Sequence, residues 1–274
     1  MRRTLTTLIL LLSLTSMFSQ IKVMTYNIKY ANENDGENSW SHRKDWITNQ
    51  IKFYEPDILG VQEALQVQID YFNDQMPNYK YIGVGRDNGK KEGEYSAIFY
   101  NADKLKVLTN STFWLNENPS KIKKGWDAAL PRICTYGLFE NKKTGKKFWH
   151  FNTHFDHVGV KARQESAKLI FNKIQELNSE NYPVVLTGDF NLTPETKSIQ
   201  FLSDRLIEAK TIAKLVFGPT GTYNGFEFSE PITEKLDYIF ISKNGFKVLK
   251  YATLSDSKNL HYPSDHLPVF AILQ

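Results

Sequence analysis

Short runs of β-branched and aromatic residues recur along the whole chain, and this recurrence is the strongest constraint on its fold. A helical spacing of apolar residues is confined to 43–53, 64–76 and 161–177. These helices are too few to alternate with every strand, which disfavours a regular doubly wound parallel sheet. The sequence therefore predicts an α/β chain in which two mixed β-sheets pack face to face with helices outside. The predicted strands are 21–26, 57–61, 79–84, 95–100, 105–109, 132–139, 147–153, 183–187, 236–241, 246–253 and 267–273.

The first 20 residues have the pattern of a secretory signal peptide. Arg2 and Arg3 precede an apolar run at 8–12, and small residues follow it. An uncleaved membrane anchor is the disfavoured alternative, because the run is shorter than the roughly 20 residues of a spanning helix. We therefore expect residues 1–20 to be a signal peptide, 21–274 to form a single domain, and the mature chain to be secreted or periplasmic.

Net charge and cysteine content limit the kinds of protein that this chain can be. The formal net charge is +4, or about +2 without the two signal arginines, and proteins that hold long nucleic acid by phosphate contacts are usually more basic. Arg86 and the basic cluster 121–124 are the candidates for a basic groove. The single cysteine, Cys134, cannot form an internal disulfide and lies in a strand-like run, which predicts a buried core residue.

Polar side chains interrupt the apolar strands at their ends. If these ends face one rim, the carboxylates among them repel one another unless a cation is present. Carboxylate and amide oxygens favour Mg²⁺ or Mn²⁺, whereas Zn²⁺ favours clusters of His and Cys, and no such cluster with Cys occurs in this sequence. The polar residues at the strand ends are Asn27, Glu63, His154, Asp189, Asn191, Asp237, Asp265 and His266.

The two histidines at the strand ends are then free for proton transfer. Each imidazole needs a partner that fixes its tautomer and raises its basicity. Glu94, at the head of a predicted strand, is the candidate partner of His154, and Asp237 is the candidate partner of His266.

Three other polar residues lie beside these motifs. Asp156 and His157 follow His154 closely, and the sequence leaves open whether they support the site or are ordinary loop residues. Ser264 precedes Asp265 and His266, but a Ser-His-Asp triad is disfavoured because adjacent residues of an extended chain point to opposite sides.

Taken in order, these motifs resemble those of the endonuclease/exonuclease/phosphatase superfamily of metal-dependent phosphoesterases. The resemblance covers about residues 21 to 274 and implies a four-layer α/β/β/α sandwich. The stretches 125–132 and 152–154 are most similar to the deadenylase-like and secreted bacterial branches. The motifs are Thr25-Tyr26-Asn27, Gln62-Glu63, Asn152-Thr153-His154, Gly188-Asp189-Phe190-Asn191, Asp237-Tyr238-Ile239 and Ser264-Asp265-His266.

The resemblance implies a role for each matched position. The implied metal shell is Glu63, as the main ligand, with Asn27 and Asp265. Asp189 and Asn191 would position the attacking water and the phosphate, and Arg132 would contact the phosphate. The implied proton-transfer residues are His154 and His266, held by Glu94 and Asp237 respectively.

These observations predict a secreted Mg²⁺-dependent phosphoesterase that hydrolyses phosphodiester bonds by in-line attack of water, with an endo- or exonuclease favoured. One alternative is a phosphodiesterase or phosphatase that acts on a lipid head group, a phosphorylated glycan or another small phosphoester. A catalytically silent secreted binding protein is disfavoured, because every motif position holds a competent residue. The expected partner is a phosphoester substrate, nucleic acid included, and we expect a monomer without a stable protein partner.

Overall fold

A computed structural model of the protein describes residues 20–274, so the predicted signal peptide lies outside the described residues. The helices are α1 (Trp40–Tyr54), α2 (Gln66–Gln75), α3 (Val160–Leu177), α4 (Lys197–Arg205) and α5 (Ala209–Ile212), with a 3₁₀ segment at Glu33–Asn38. The strands are β1 (Ile21–Asn27), β2 (Ile58–Ala64), β3 (Tyr79–Ile82), β4 (Tyr95–Asn101), β5 (Leu105–Trp114), β6 (Ile133–Asn141), β7 (Lys147–His154), β8 (Val184–Asp189), β9 (Ile207–Glu208), β10 (Val216–Phe217), β11 (Asp237–Ile241), β12 (Val248–Thr253) and β13 (Val269–Leu273).

The strands form two mixed sheets, as the sequence predicts. A 7-stranded sheet has the order β10-β12-β13-β1-β2-β4-β3, and a 6-stranded sheet has the order β5-β6-β7-β8-β11-β9. In each sheet the central pair is parallel, β1 with β2 and β7 with β8, and the strands beside that pair are antiparallel to it. The prediction of a single domain over 21–274 stays a prediction, although β1 and β13, at opposite ends of this range, are paired.

Three apolar clusters separate the layers. Between the sheets, inward residues such as Val23, Ile98 and Ile239 are fully buried, and mutual burial of these faces drives the sheets together. The outer face of the 7-stranded sheet packs under α1 and α2, and the outer face of the 6-stranded sheet packs under α3 and α4. This arrangement confirms the predicted α/β/β/α layers. Helix α4 was absent from the sequence prediction, because its nine residues carry too short an apolar period to stand out.

Cys134 is fully buried in β6, which confirms the prediction of a core residue. Burial raises the pKa of its thiol well above the usual range. Within residues 20–274, no helix combines the length and apolarity that crossing a membrane requires.

A polar bridge joins the two sheets next to the strand ends that carry the candidate site. The Asn152 amide on β7 donates to the carbonyl oxygens of Val61, on β2, at 3.0 Å and of Ala97, on β4, at 2.9 Å. Its carbonyl oxygen accepts from Gln62 at 2.7 Å and from Thr187 at 2.9 Å. A buried amide with all its groups paired is stable in the core and holds the sheets in one register.

Candidate active site

The sheet topology gathers the motif residues at one rim. Asn27, His154 and Asp189 end strands β1, β7 and β8, and the carboxyl ends of paired parallel strands meet at the same edge of a sheet. Asp237 begins the antiparallel strand β11, where it pairs in register with Asp189. A cavity of about 480 Å³ opens at this rim and is lined by Lys29, Tyr30, Glu63, Glu94, Leu130, Arg132, His154, His157, Asp189, Asn191, Tyr223, Leu236, Asp265 and His266.

Two of the site residues have unusual backbone conformations. Glu63 has a φ of 65°, and the pairing of β2 with β4 is irregular between Val61 and Ala64. Asn191 has a φ of 49°, and its backbone N–H donates to Asp189 Oδ1 at 2.8 Å. Left-handed backbone costs about 1–3 kcal/mol per residue and is concentrated at functional sites. Glu63 lies at the irregular end of β2 and Asn191 lies two residues beyond the end of β8, and both side chains line the cavity.

The Asn27 side chain connects the carboxylates of Glu63 and Asp189, and its oxygen is bonded to the backbone. Its amide nitrogen donates to Glu63 Oε1 at 3.0 Å and to Asp189 Oδ2 at 2.9 Å. Its oxygen accepts from the Lys29 backbone N–H at 3.1 Å. The side chain therefore sets the spacing of two acidic groups, whereas its role as a metal ligand, implied by the resemblance, stays a prediction.

His266 has the acidic partner that the sequence predicts. Its Nδ1 lies 2.8 Å from Asp237 Oδ2, and both side chains are almost fully buried. Burial alone would lower the pKa of His266, but the Asp237 and Asp189 carboxylates raise it well above the usual value. His266 is therefore a cation whose Nε2–H is directed towards Asp189 Oδ2, 3.7 Å away.

His154 has the opposite protonation state. Burial, reinforced by Arg132 and Arg86, holds its pKa well below the usual value, so the ring is neutral. The Asn191 amide nitrogen, which donates to Phe155 O at 3.0 Å, also lies 3.0 Å from His154 Nε2. An amide nitrogen can only donate, so Nε2 is the acceptor and the proton is on Nδ1.

The structure does not contain the predicted hydrogen bond between Glu94 and His154. Both oxygens of Glu94 accept from the Arg86 guanidinium, at 2.7 and 2.8 Å, and Glu94 Oε2 lies 3.8 Å from His154 Nδ1, too far for a hydrogen bond. The bidentate fork of a buried arginine outcompetes a neutral imidazole for the carboxylate. Arg86 is only 7% exposed and is paired with Glu94, and its place in a basic groove stays a prediction. Glu94 lines the cavity, and its catalytic role stays a prediction.

Asp189 lies at the centre of the group. Its Oδ2 is 3.5 Å from Nε2 of His154 and 3.7 Å from Nε2 of His266. Burial raises the pKa of Asp189 to about 7, with Asp237 adding to the rise and His266 opposing it. A carboxylate with a pKa near neutrality is suited to accept a proton from water.

Asp265 and His266 face different partners although they are adjacent. The Asp265 carboxylate lies 3.8 Å from Lys29 Nζ and 3.3 Å from Ser264 Oγ, away from the Asp237 partner of His266. Ser264 Oγ donates to the Asn27 carbonyl at 2.8 Å, which confirms that no Ser-His-Asp triad forms here.

Sequence reasoning missed several residues of the cavity. Lys29 lies between Asp265 and Glu63, and its charge, helped by Asn27 and opposed by burial, holds the pKa of Glu63 below the usual value. The Tyr223 ring packs edge-on against His266 with centroids 5.1 Å apart. Neither lies in a motif, and Tyr223 is near the site only because 222–225 bonds to the segment before β13.

The donor set fits a hard cation. Glu63, Asp265 and Asp189 contribute carboxylates to one cavity, and among the described residues the buried Oδ1 of Asp237, beside this cavity, has no hydrogen-bond partner. Within the described residues, Asp189, Asp237 and His266 can place one ligand atom each within 4.8 Å of one another, a group that differs from the predicted shell. An oxygen-rich set with an unsatisfied carboxylate oxygen suits Mg²⁺ or Mn²⁺.

This fold and this site define a metal-dependent phosphoester hydrolase, and the chain belongs to the Endonuclease/Exonuclease/phosphatase family, whose profile matches residues 24–266. The match confirms the resemblance seen in the ordered motifs.

Three relatives match this chain over most of their own length. The mannosyl-6-phosphatase of Bacteroides thetaiotaomicron is 39% identical, with a TM-score of 0.89, over 93% of this chain and 99% of that one. A family member from Bacteroides vulgatus is 40% identical, with a TM-score of 0.89 and the same coverage. An uncharacterised mimivirus protein is 29% identical over 86% of this chain and 92% of its own length.

Eukaryotic relatives are more distant. Mouse Nocturnin is 24% identical over 92% of this chain, which spans 65% of Nocturnin. The Ccr4 exoribonuclease subunit of Mycosarcoma maydis is 22% identical over 85% of this chain, which spans 46% of that subunit. The chain therefore matches only part of these longer proteins.

Proposed function

We propose that the chain is an exported, Mg²⁺-dependent phosphatase that removes phosphate from a phosphorylated sugar. The observation that carries the hydrolytic part is the arrangement of three buried groups, in which Asp189 Oδ2 lies 3.5 Å from His154 Nε2 and 3.7 Å from His266 Nε2. The pKa of His154 is lowered, whereas those of Asp189 and His266 are raised. Displaced pKa values at one site are how enzymes separate the proton donor from the proton acceptor.

Each of these groups has a distinct task. Asp189 accepts the proton of the attacking water, since its pKa of about 7 matches neutral conditions. The cationic His266 donates Nε2–H to a phosphoryl oxygen, and Asp237 holds its ring in place. The Asn191 amide donates to Nε2 of neutral His154 and so fixes the orientation of the ring, with the proton on Nδ1.

The residues that would hold Mg²⁺ are Glu63 and Asp265, with Asn27 spacing Glu63 from Asp189. A bound divalent cation would neutralise the negative charge that develops on the phosphoryl oxygens. The choice of Mg²⁺ is part of the proposal, and the same carboxylate ligands also suit Mn²⁺.

The proposed substrate is supported by similarity and by charge. The 39% identical neighbour is called a mannosyl-6-phosphatase, whereas the relatives called ribonuclease and Nocturnin are 22–24% identical. A phosphorylated sugar needs one compact anion site, and the near-neutral chain provides such a site without a long basic surface.

A nuclease, which the sequence favours, is the second candidate. The relative named as an exoribonuclease supports it. Of the candidate groove residues, Arg86 is buried and Lys123 lies 3.3 Å from Glu117, whereas Lys121 and Lys124 are exposed.

A substrate panel tests the proposal. Purified protein with Mg²⁺ is assayed against mannose 6-phosphate, single-stranded RNA, DNA and phosphocholine, and chelator is added to each reaction. We expect phosphate release from mannose 6-phosphate that chelator abolishes. Cleavage of RNA or DNA with no release from the sugar phosphate would replace the proposal by the nuclease candidate.

Export and a monomeric state remain proposals that rest on the sequence. The N-terminal pattern of Arg2, Arg3 and an apolar run supports export. N-terminal sequencing of the protein recovered outside the cytoplasm tests it, and a retained Met1 would contradict it.

A further inference from the structure

His157 lies on the wall of the cavity and has no role in the chemistry described above. Its side chain is exposed, and its Nδ1 lies 3.1 Å from Arg132 Nη2. A guanidinium can only donate, so Nδ1 accepts and the proton of neutral His157 is on Nε2. Nε2–H is therefore the polar group that the ring has left for a ligand.

Arg132 is itself held in place. It is only 4% exposed, with its Nε 3.6 Å from Asp156 Oδ2 and its Nη1 4.0 Å from Glu94 Oε2. Within the described residues its buried Nε and Nη1 have no hydrogen-bond partner, and Arg132 lines the cavity. Arg132 and His157 together contribute a guanidinium and an imidazole to this wall.

Two aspartates fix the segment that carries this wall. Asp156 accepts four backbone N–H groups, from Ala129 at 3.1 Å, Leu130 at 3.1 Å, Val158 at 3.0 Å and Gly159 at 2.7 Å. Burial opposes ionisation, but these bonds lower the pKa of Asp156 to about 2, so it stays charged at neutral pH.

Asp127 makes the reciprocal connection. Its carboxylate accepts the backbone N–H groups of Lys161 at 3.1 Å and Ala162 at 2.6 Å, at the start of α3. The segments 126–132 and 155–162 thus hold each other through one aspartate each. His157 is presented by a rigid support, which is what selective recognition of a ligand group needs.

We propose that His157 is a specificity-determining residue that donates Nε2–H to a hydroxyl oxygen of the sugar, with Arg132 as the residue that positions its ring. The inference rests on the proposed sugar-phosphate substrate. A hydroxyl is favoured over a second anion because the exposed His157 is a neutral donor at the rim, whereas the charged groups lie deeper.

The test compares two phosphate monoesters, mannose 6-phosphate and phenyl phosphate, which has no hydroxyl group. His157→Ala, His157→Gln and the control His261→Ala, at an exposed residue outside the cavity, are assayed with both. We expect His157→Ala to lower kcat/KM about three- to tenfold more for mannose 6-phosphate than for phenyl phosphate, mainly through KM, as the loss of one neutral hydrogen bond predicts. His157→Gln, which retains a donor, recovers part of the loss, and His261→Ala leaves the ratio unchanged. Equal losses on both esters would overturn the inference.

A measurement independent of turnover separates this inference from the proposed function. The imidazole signal of His157, detected through its carbon-bound ring protons and their couplings to the ring nitrogens, is assigned by NMR through its disappearance in His157→Gln. We expect it to report an Nε2–H tautomer and to shift with mannose 6-phosphate more than with inorganic phosphate. A wild-type protein that fails to hydrolyse mannose 6-phosphate contradicts the proposed function, whereas an Nδ1–H tautomer, or equal shifts with both probes, contradicts the role of His157.

Discussion

Replacing Gly60 by alanine tests whether the polar bridge between the sheets depends on the absence of a side chain at this position. Gly60 lies in β2 and faces the 6-stranded sheet at the point where Asn152 crosses. A Cβ at this position would lie 2.5 Å from Thr187 Oγ1 and 2.7 Å from Asn152 Cγ, and closer still to Asn152 Oδ1. Such distances are below van der Waals contact, so Asn152 and Thr187 must move.

The expected loss has two parts. Overpacking of a well-packed core costs about 1–3 kcal/mol. Displacing Asn152 also weakens its bonds to Val61, Ala97, Gln62 and Thr187, at about 1 kcal/mol for each buried bond that is not remade. We therefore expect Gly60→Ala to lower the free energy of unfolding by about 2–5 kcal/mol, which corresponds to a Tm lower by about 5–15 °C.

Denaturant unfolding measures this loss, and a double-mutant cycle locates it. Gly145→Ala is the control, because the hairpin glycine has no atom within 4 Å of an added Cβ and adds only the strain of its φ of 68°. In the Gly60→Ala background, Asn152→Ala should cost less than it does alone, because the bridge is already broken. A change below about 0.5 kcal/mol for Gly60→Ala, or strictly additive losses, would refute the reasoning.

Three further predictions concern catalysis, metal and pH. His154→Ala and His266→Ala should each lower kcat by about 10²- to 10⁴-fold at an unchanged circular dichroism spectrum, and near wild-type turnover would count against a role in proton transfer. Glu63→Ala should raise the Mg²⁺ concentration needed for half-maximal activity, and an identical Mg²⁺ titration would rule Glu63 out as a ligand. Burial lowers the pKa of His150 to about 3, so the unfolded chain binds the extra proton between that value and its ordinary pKa. The contribution of His150 should therefore lower the free energy of unfolding by up to about 1.4 kcal/mol per unit as pH drops below about 6.5. Stability should fall less steeply in His150→Gln but not in His261→Gln, as denaturant unfolding at pH 7 and pH 5 would measure.

The parts of the site that the sequence predicts are those carried by strand ends. Asn27, His154 and Asp189 each end a strand, as their apolar runs predict, and Asp265 and His266 face different partners, as expected of adjacent residues. The apolar run before each residue is a local pattern that can be read from the sequence, whereas the pairing that sets Asp237 opposite Asp189 is a tertiary contact.

The parts that the sequence does not predict depend on loops. Arg86 binds Glu94 because the loop between them closes on itself, with Arg86 N donating to Glu94 O at 3.1 Å. The reciprocal contacts of Asp127 and Asp156 join segments about 30 residues apart, which no apolar period reports. Such pairings depend on tertiary distances, whereas sequence patterns record only the spacing along one element.

The burial of Cys134 gives this protein an internal probe of its own opening. It is the single cysteine of the chain, and its thiol is fully buried. A thiol reagent in solution can therefore label it only when the structure around β6 opens, so the labelling rate reports the frequency of that opening. Comparing the labelling rate in the presence and absence of Mg²⁺ would measure how much metal binding at the rim suppresses opening of the structure around β6. The measurement needs no added reporter group.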